Sequence, residues 1–481
     1  MPWVACGLLL TVAACMASGN ETPLNEALEP VLSGGHLSRA EVGVHVVAVA
    51  SGRVICSRDA MRRFIVASNE KLVTAAAALE ILGADYRFET ALYGCGPVRG
   101  GVLRGDLILR GGGDPTIGGR YDDENAIDVF RRWARNLRSK ELRGVTGDVV
   151  ADDTFFDRRY RHPNWTRYPA WNWYYTTTSA LSVNDNCVVV TVEPGLEAGA
   201  PASAAFAPAS APLKLLNLCE TATKRHAIWF DRSAGEDTIK VGGHVRLGSA
   251  GYSGEVTVPD PPLYAATTLK QAFEEEGLRI GGRARVLPAA DPALYEEADR
   301  LCLRSTALPP VLHTMVKRSH NHYAEQVMKT IGAEAQGVGS WEAGAAGAGG
   351  MLRRIDFSDD EFCLDDGSGL SRENELTPAL LTSLLVEMAR SPYGPAFAQL
   401  LPVAGVDGTL GRRLTEAPYH GNVRAKTGYL SGVGALSGYA TTRSGVAVAF
   451  SILINDSHNP PGTYSMRQKL DAICRAIIDG A

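Results

Sequence analysis

Residues 68–82 read SNEKLVTAAAALEIL, and this stretch decides the fold. Alanine, leucine, glutamate and lysine are strong helix formers, and Gly83 stands where helices commonly end. We therefore predict a helix from Ser68 to Leu82. Ser68 and Lys71 are three positions apart, which places both on one face of that helix. A serine hydroxyl becomes a good nucleophile only when a base removes its proton, so the pair indicates a nucleophile with its base.

Two further motifs follow this helix in the chain. Residues 319–321 read Ser-His-Asn, at the head of a helix or within one, in the segment Val311–Ile331, which has helical periodicity. Residues 426–428 read Lys-Thr-Gly on a predicted strand. Each match alone is expected by chance in 481 residues, and an ordinary helix or strand position would explain it. The three motifs together, in this order, are the signature of penicillin-binding proteins and class A β-lactamases.

The chemistry of acyl transfer explains the first group of residue types. Lys71 can act as a base only if its pKa falls, and burial or a neighbouring charge such as Lys426 lowers it. The Ser68 N–H, at a helix start, is free to donate to a developing oxyanion. The N–H of Tyr429 on the predicted strand is the second donor that we expect. One such donor lowers the barrier by about 3 kcal/mol.

The second and third motifs suit the rest of such a reaction. Ser319 can relay a proton to the leaving amine, and Asn321 can bind a substrate amide and also steady Lys71. Lys426 and Thr427 offer a point charge and a hydroxyl donor for a carboxylate. A carboxylate site beside an acylating serine points to cleavage at a free C-terminus.

The order of elements predicts an α/β fold with a large insertion. An early β-hairpin and three late strand-like runs over residues 423–454 are expected to share one sheet that joins both chain ends. The catalytic domain is then made of residues 20–90 and 271–481. Residues 91–270 are an inserted region, with a smaller nested domain around 195–247.

Composition and charge exclude other classes of protein. The net charge is −5, which lacks the basic excess of a nucleic-acid binder. An apolar run followed by small residues predicts a signal peptide over residues 1–18 and export to the periplasm or cell envelope, and the alternative is a lipid anchor at Cys15. The seven cysteines beyond this leader have no metal-binding spacing, and we predict that most are small buried residues.

The three motifs and the segments around them resemble those of a known family. It is similar to the low-molecular-mass penicillin-binding proteins that act as D-alanyl-D-alanine carboxypeptidases and endopeptidases, the peptidase S13 family. The resemblance covers nearly the whole mature chain and is carried by these segments: ASNEKLVTAAAALE (67–80), GDLILRGGGDPT (105–116), ALSVNDNCV (180–188), KRSHNHYAEQV (317–327), DDGSGLSR (365–372), LPVAGVDGTL (401–410) and VRAKTGYLSGV (423–433).

The resemblance implies a penicillin-recognising serine acyltransferase core, of the β-lactamase and transpeptidase type, interrupted by two nested smaller domains. It implies peptidoglycan stem peptides as substrates, β-lactams as inhibitors, and no metal or organic cofactor. Carried over by motif, the catalytic residues are Ser68, Lys71 and Ser319. The substrate-binding residues are Asn321, Lys426, Thr427, Gly428 and the Tyr429 main chain.

Two positions depart from the family pattern, and the role of one further residue has two explanations. Val66 stands where the family usually has proline, and the middle of the second motif is His320, for which we favour an exposed, tolerated side chain over a part in proton transfer. Asp152 resembles a family contact to the amino group of a cell-wall diamino acid, and a turn or capping role explains it equally well. Residues 366–372 are predicted to line the cleft or to brace it.

Two rival functions make different predictions. A β-lactamase would use the same motifs but needs a water-activating base for deacylation, for which no separate motif is evident. A wall-binding protein that kept the fold without activity would have lost reactive groups, whereas Ser68, Lys71 and Lys426 are all present. The balance between carboxypeptidase and endopeptidase activity stays open at this point.

Overall fold

The computed structural model describes residues 23–32, 40–121, 125–456 and 462–481. The predicted signal peptide and its alternative lipid-anchor cysteine lie outside these residues. Within the described ranges, every helix is too short or too polar to cross a bilayer.

The chain begins with a helix, a hairpin and the helix that carries the first motif. These elements are α1 (Pro23–Leu32), β1 (Glu41–Ala48), β2 (Val54–Arg58), β3 (Phe64–Ile65), a 3-10 turn (Ala67–Asn69) and α2 (Glu70–Ile81). The predicted helix is confirmed, with its first turn tightened to 3-10 geometry. Gly83 follows at φ +82°, the left-handed conformation that ends helices.

Residues 87–307 form a separate set of sheets with two helices. The strands are β4 (Arg87–Cys95), β5 (Val98–Arg99), β6 (Val102–Leu103), β7 (Asp106–Gly111), β8 (Gly144–Val145), β9 (Val149–Asp152), β10 (Cys187–Glu193), β11 (Ser203–Ala207), β12 (Lys214–Ala222), β13 (Ala227–Asp231), β14 (Thr238–Arg246), β15 (Tyr252–Thr257), β16 (Arg279–Ile280), β17 (Ala284–Val286) and β18 (Ala298–Ala307). The helices are α3 (Ala126–Ser139) and α4 (Pro261–Glu275). Three 3-10 turns occur at Trp173–Tyr175, Asn184–Asn186 and Pro292–Tyr295.

The remaining chain returns to helices and then closes the first sheet. Its elements are α5 (Leu308–Lys317), α6 (Asn321–Gln336), α7 (Trp341–Arg354), β19 (Phe362–Cys363), β20 (Glu375–Leu376), α8 (Pro378–Arg390), α9 (Gly394–Leu400), a 3-10 turn (Gly408–Leu410), β21 (Arg424–Leu430), β22 (Val433–Thr441), β23 (Ala447–Asn455) and α10 (Thr463–Gly480).

The central sheet joins the two ends of the chain. Its strand order is β2-β1-β23-β22-β21, and every pairing is antiparallel. Helix α2 is buried against the helices α5 to α8 on one face of this sheet, while α1 and α10 pack on the other. Strand β21 is the sheet edge, and it lies beside the 3-10 turn that carries Ser68. The α/β architecture with a sheet shared by both chain ends is therefore observed as expected.

The inserted segment is built around a five-stranded sheet of order β17-β9-β7-β4-β18. Antiparallel pairing of β4 with β18 brings the start and the end of this segment together at Arg87 and Ala307. Two three-stranded sheets, β11-β10-β15 and β12-β14-β13, hold the region in which the nested domain is predicted. The borders 91–270 and 195–247 stay predictions, and the strand pairing favours a wider insertion of residues 87–307.

One predicted helix is wrong, because the structure divides it into two helices. The periodicity of Val311–Ile331 predicts a continuous helix, but α5 ends at Lys317 and α6 begins at Asn321. Ser319, between them, has φ +58°, a left-handed conformation that a helix interior does not contain. Both helices keep an apolar face toward the same core, so the hydrophobic pattern continues across the break.

The cysteines are free thiols in the described structure. Four are buried (Cys56, Cys187, Cys219 and Cys474), Cys95 and Cys302 are half-buried, and Cys363 is exposed. The prediction that most of the seven cysteines are buried is confirmed, since these four are.

Candidate active site

Ser68 lies at the tip of the turn that opens α2. The preceding Ala67 has φ +47°, a left-handed conformation that costs about 1 kcal/mol or more for a residue with a side chain. Val66, before it, has φ −102°, which lies outside the range that a proline ring adopts. The turn therefore aims Ser68 at the adjoining edge strand, and this backbone accounts for valine at position 66.

Lys71 is wholly buried beside Ser68. Its Nζ lies 3.0 Å from Ser68 Oγ, 2.8 Å from Asn321 Oδ1 and 2.6 Å from the main-chain oxygen of Ser368. These three acceptors match the three N–H bonds of an ammonium group. When Lys71 loses one proton, two N–H bonds can still donate to Asn321 and Ser368, which leaves the lone pair facing Ser68.

Burial controls the protonation of this lysine. Transfer out of water lowers the pKa of Lys71 to about 7, against the opposing charges of Glu325, Asp366 and Glu70. Burial also raises the pKa of Glu325 to about 8 and raises the pKa of Glu70 well above its ordinary range. With a pKa of about 7, Lys71 is partly a neutral amine near pH 7. A neutral amine is the form that a general base requires.

The second and third motifs meet through Lys426. This lysine is fully buried, and its Nζ donates to Ser319 Oγ at 2.8 Å and to the main-chain oxygen of Thr427 at 2.7 Å. Burial first, and then the charge of Lys71, lower the pKa of Lys426 well below its ordinary value. The half-buried Thr427 hydroxyl donates to Thr409 Oγ1 at 2.8 Å. Lys426 thus orients Ser319, while Thr427 is more accessible.

The edge strand β21 places main-chain N–H groups beside the Ser68 turn. The Ala425 N–H points away from the sheet, since it donates to Pro402 O at 3.0 Å, and Tyr429 has the same parity on the strand. The Tyr429 N–H therefore also points off the sheet edge. A Cβ at Gly428 would lie only 2.9 Å from the main-chain oxygen of Val66, so glycine allows the strand to approach the Ser68 turn this closely.

Asp366 stabilises the loop that contains residues 366–372, for which the sequence left two roles open. It is fully buried, and its two oxygens accept five N–H bonds, which suits an ionised carboxylate. The donors are the main-chain N–H groups of Ser368, Gly369 and Ser371 and the side chains of Asn374 and Trp165. This loop carries the Ser368 oxygen that binds Lys71. Of the two predicted roles for residues 366–372, bracing is the one that these bonds describe.

We expect Asp366→Asn to lower the free energy of unfolding by about 3 kcal/mol, because an amide nitrogen would face N–H donors and leave several of them unpaired. The acylation rate should fall as well, since Ser368 O would shift relative to Lys71. Denaturant unfolding monitored by fluorescence measures the first effect. The neighbouring Asp365, whose side chain is 23% exposed and accepts from Asn164 at 2.9 Å, is the matched control. Equal losses for Asp365→Asn and Asp366→Asn would contradict this account.

The inserted segment also contacts the second motif directly. Asn321 Nδ2 donates to the main-chain oxygen of Tyr174 at 3.0 Å. This bond fixes the orientation of the amide, so that Oδ1 faces Lys71. A main-chain oxygen leaves no mark in a sequence, so this bond could not be predicted from residue types.

Asp152 is a predicted site residue whose side-chain contacts lie outside the site around Ser68. Its Oδ1 accepts from the N–H and hydroxyl of Thr154 at 2.9 and 2.6 Å, and its Oδ2 accepts from the Tyr295 hydroxyl and lies 3.8 Å from Arg110. These are all residues of the insertion, and the side chain is 2% exposed. The contacts describe a capping and bracing role. Contact with a diamino acid stays a prediction that they do not support.

Comparison with known proteins agrees with this arrangement. Residues 24–477 match the model of the D-Ala-D-Ala carboxypeptidase 3 (S13) family. A D-alanyl-D-alanine carboxypeptidase from Actinomadura sp. (strain R39) is 34% identical over 475 residues, which cover 96% of this chain and 85% of that protein. The D-alanyl-D-alanine carboxypeptidase DacB of Haemophilus influenzae is 26% identical over 422 residues, covering 86% of this chain and 85% of that protein.

The fold has solved counterparts as well. The crystal structure of penicillin binding protein 4 from Haemophilus influenzae superposes with a TM-score of 0.79 at 24% identity, over 94% of this chain and 98% of that chain. The same protein has been solved in complex with a β-lactam. The likeness spans the core and the insertion together, and it agrees with the penicillin-recognising fold. Because the family match runs from residue 24 to residue 477, the chain belongs to the D-Ala-D-Ala carboxypeptidase 3 (S13) family.

Proposed function

We propose that this protein is a serine D-alanyl-D-alanine carboxypeptidase that removes the terminal D-alanine from peptidoglycan stem peptides through an acyl-enzyme on Ser68. The observation that carries the proposal is the environment of Lys71, a buried amine held between Ser68, Asn321 and Ser368. Relatives that match along most of this chain are D-alanyl-D-alanine carboxypeptidases. The family resemblance and the site geometry therefore point to the same reaction.

Acylation begins at Ser68. Neutral Lys71 takes the hydroxyl proton while Ser68 Oγ bonds to the carbonyl carbon of the peptide. Negative charge develops on the carbonyl oxygen, where the N–H groups of Ser68 and Tyr429 donate to it. These two donors are main-chain groups held by the helix start and by the edge strand, so they need little rearrangement during the reaction.

The leaving group is the amine of D-alanine, which must gain a proton as the C–N bond breaks. Ser319 is the proton relay that we assign, because its hydroxyl is held by Lys426 at 2.8 Å and faces the same cleft. The proton that Lys71 removed from Ser68 thus returns to the departing amine. Water then attacks the acyl-enzyme, with Lys71 again as the base, and releases the shortened peptide and free Ser68.

Specificity for a free C-terminus comes from the third motif. The Thr427 hydroxyl can turn from Thr409 to a substrate carboxylate, and the nearby ammonium of Lys426 adds positive potential. Gly428 contributes by letting the strand lie close to Ser68. The same arrangement suits the carboxylate of a β-lactam, so we propose that such drugs acylate Ser68 and inhibit the enzyme. We also propose that the protein is exported, with peptidoglycan as its partner.

D-alanine release tests this function. We expect D-alanine release from a peptide that ends in D-Ala-D-Ala. Release of D-alaninamide from the same peptide with a C-terminal amide should be at least about a hundredfold slower, because the carboxylate contacts are then missing. A cross-linked muropeptide in the same assay measures endopeptidase activity. Rapid cephalosporin turnover without D-alanine release would contradict the proposal and favour a β-lactamase.

A further inference from the structure

His320, the middle residue of the second motif, is buried where the sequence favoured exposure. Only 4% of the residue is exposed, and its Nε2 lies 3.4 Å from Asp185 Oδ2. Asp185 belongs to the inserted segment, in the turn Asn184–Asn186, and accepts from the Arg120 N–H at 2.8 Å. The contact therefore joins the insertion to the residue between Ser319 and Asn321.

Aromatic rings enclose this contact. Tyr121 and Trp173 of the insertion have ring centroids 5.3 and 6.4 Å from that of His320, and Tyr323 of α6 is 4.7 Å away. The Arg120 guanidinium lies 3.7 Å above the Trp173 ring. Because these groups exclude water, an interaction between His320 and Asp185 is stronger here than at a surface.

The motif is held at a point where its backbone is strained. Ser319 is left-handed, at φ +58°, and the cost of that conformation must be met by surrounding contacts. The His320 N–H donates to Met315 O at 3.1 Å on one side of the break, and Asn321 is bound by Tyr174 O on the other. Asp185 is positioned to hold the side chain between them.

We propose that His320, paired with Asp185, is a positioning residue through which the inserted segment holds Ser319 and Asn321 in their active geometry. The inference rests on the proposed function, because it assigns those two residues to the reaction. It gives the insertion a part in catalysis without contact to the reacting atoms.

Charged and titratable groups surround the contact between His320 and Asp185. Burial opposes ionisation of Asp185, but His320, His322 and the Arg120 N–H outweigh it, so the pKa of Asp185 is lowered. Burial lowers the pKa of His322 to about 4, so that ring is neutral at pH 7. Tyr121 and Tyr323 are the other titratable groups against the ring, and Arg318 lies 5.6 Å above Tyr121. The lowered pKa keeps Asp185 ionised beside the His320 ring, 3.4 Å from Nε2.

The test is the rate of acylation by benzylpenicillin near neutral pH, in the full chain and in His320→Gln, Asp185→Asn and the double variant. We expect each single variant to be about tenfold slower near neutral pH, and the double variant to be no slower than the singles, because each removes the same pair. The loss should appear in the maximal acylation rate at saturating benzylpenicillin more than in the half-saturating concentration, because Ser319 and Asn321 act in the chemical step. Final labelling of one penicillin per chain shows that each variant is folded.

His322→Gln is the matched control, because it alters the neighbouring buried imidazole without removing the pair. Its acylation rate near neutral pH should stay close to that of the wild type. Multiplicative losses in the double variant, or a His320→Gln acylation rate equal to that of the wild type, would overturn the inference. Failure of the proposed function looks different, because the wild type itself would then form no acyl-enzyme.

Discussion

Replacing Ser68 with alanine will lower the rate of D-alanine release by about 10⁵-fold or more, because no other group then forms the acyl-enzyme. Within the described residues, the Ser68 hydroxyl has one hydrogen-bond partner, Lys71 Nζ, so the fold should be retained. Steady-state release from a peptide ending in D-Ala-D-Ala measures the loss, and thermal unfolding checks the fold.

Ser319→Ala is the informative contrast to this variant. It removes the hydroxyl that Lys426 holds but leaves the nucleophile and its base, so we expect slower acylation by about 10²-fold. Penicillin should still label Ser319→Ala in full on long incubation. Residual D-alanine release by Ser68→Ala at the level of Ser319→Ala would show that Ser68 is not the nucleophile.

Lys71→Arg will slow acylation by about 10³-fold to 10⁴-fold, because a guanidinium stays protonated and cannot accept the serine proton. A guanidinium can still donate hydrogen bonds but cannot accept the serine proton, so the loss reports the base function of Lys71. Acylation rates with benzylpenicillin, followed by intact mass, give the effect directly.

The pH dependence of the wild type follows from the same residue. Burial lowers the pKa of Lys71 to about 7, and only the neutral amine can act as the base. The acylation rate should therefore fall about tenfold for each pH unit below 7 and approach a plateau above it. In Lys71→Arg this acid limb should disappear. A wild-type acid limb centred near the pKa of an ordinary carboxyl group would mean that another residue is the base.

Local patterns predicted the first motif correctly. Helix formers over residues 68–82 and the glycine after them describe a helix whose stability comes from neighbours in sequence and from one buried face. The spacing of Ser68 and Lys71 then determines their contact, whatever packs around them. The sheet that joins both chain ends also followed, because strand patterns persist wherever one face is buried.

Features that depend on tertiary contacts were missed or mistaken. The periodicity of residues 311–331 continues across the left-handed Ser319, since both helices bury the same kind of face, and so it concealed the break. The role of Asp366 depends on four donors spread over a loop and on the distant Trp165. His320 looked exposed because the groups that bury it come from the insertion, more than a hundred residues earlier in the chain.

The most direct test of the account is the mass of the intact protein after incubation with benzylpenicillin, followed by mass mapping of its peptides. The account predicts a long-lived adduct of one penicillin per chain, located on the peptide that contains Ser68. An adduct on a different residue, or rapid hydrolysis of the drug with no adduct at any time, would contradict it.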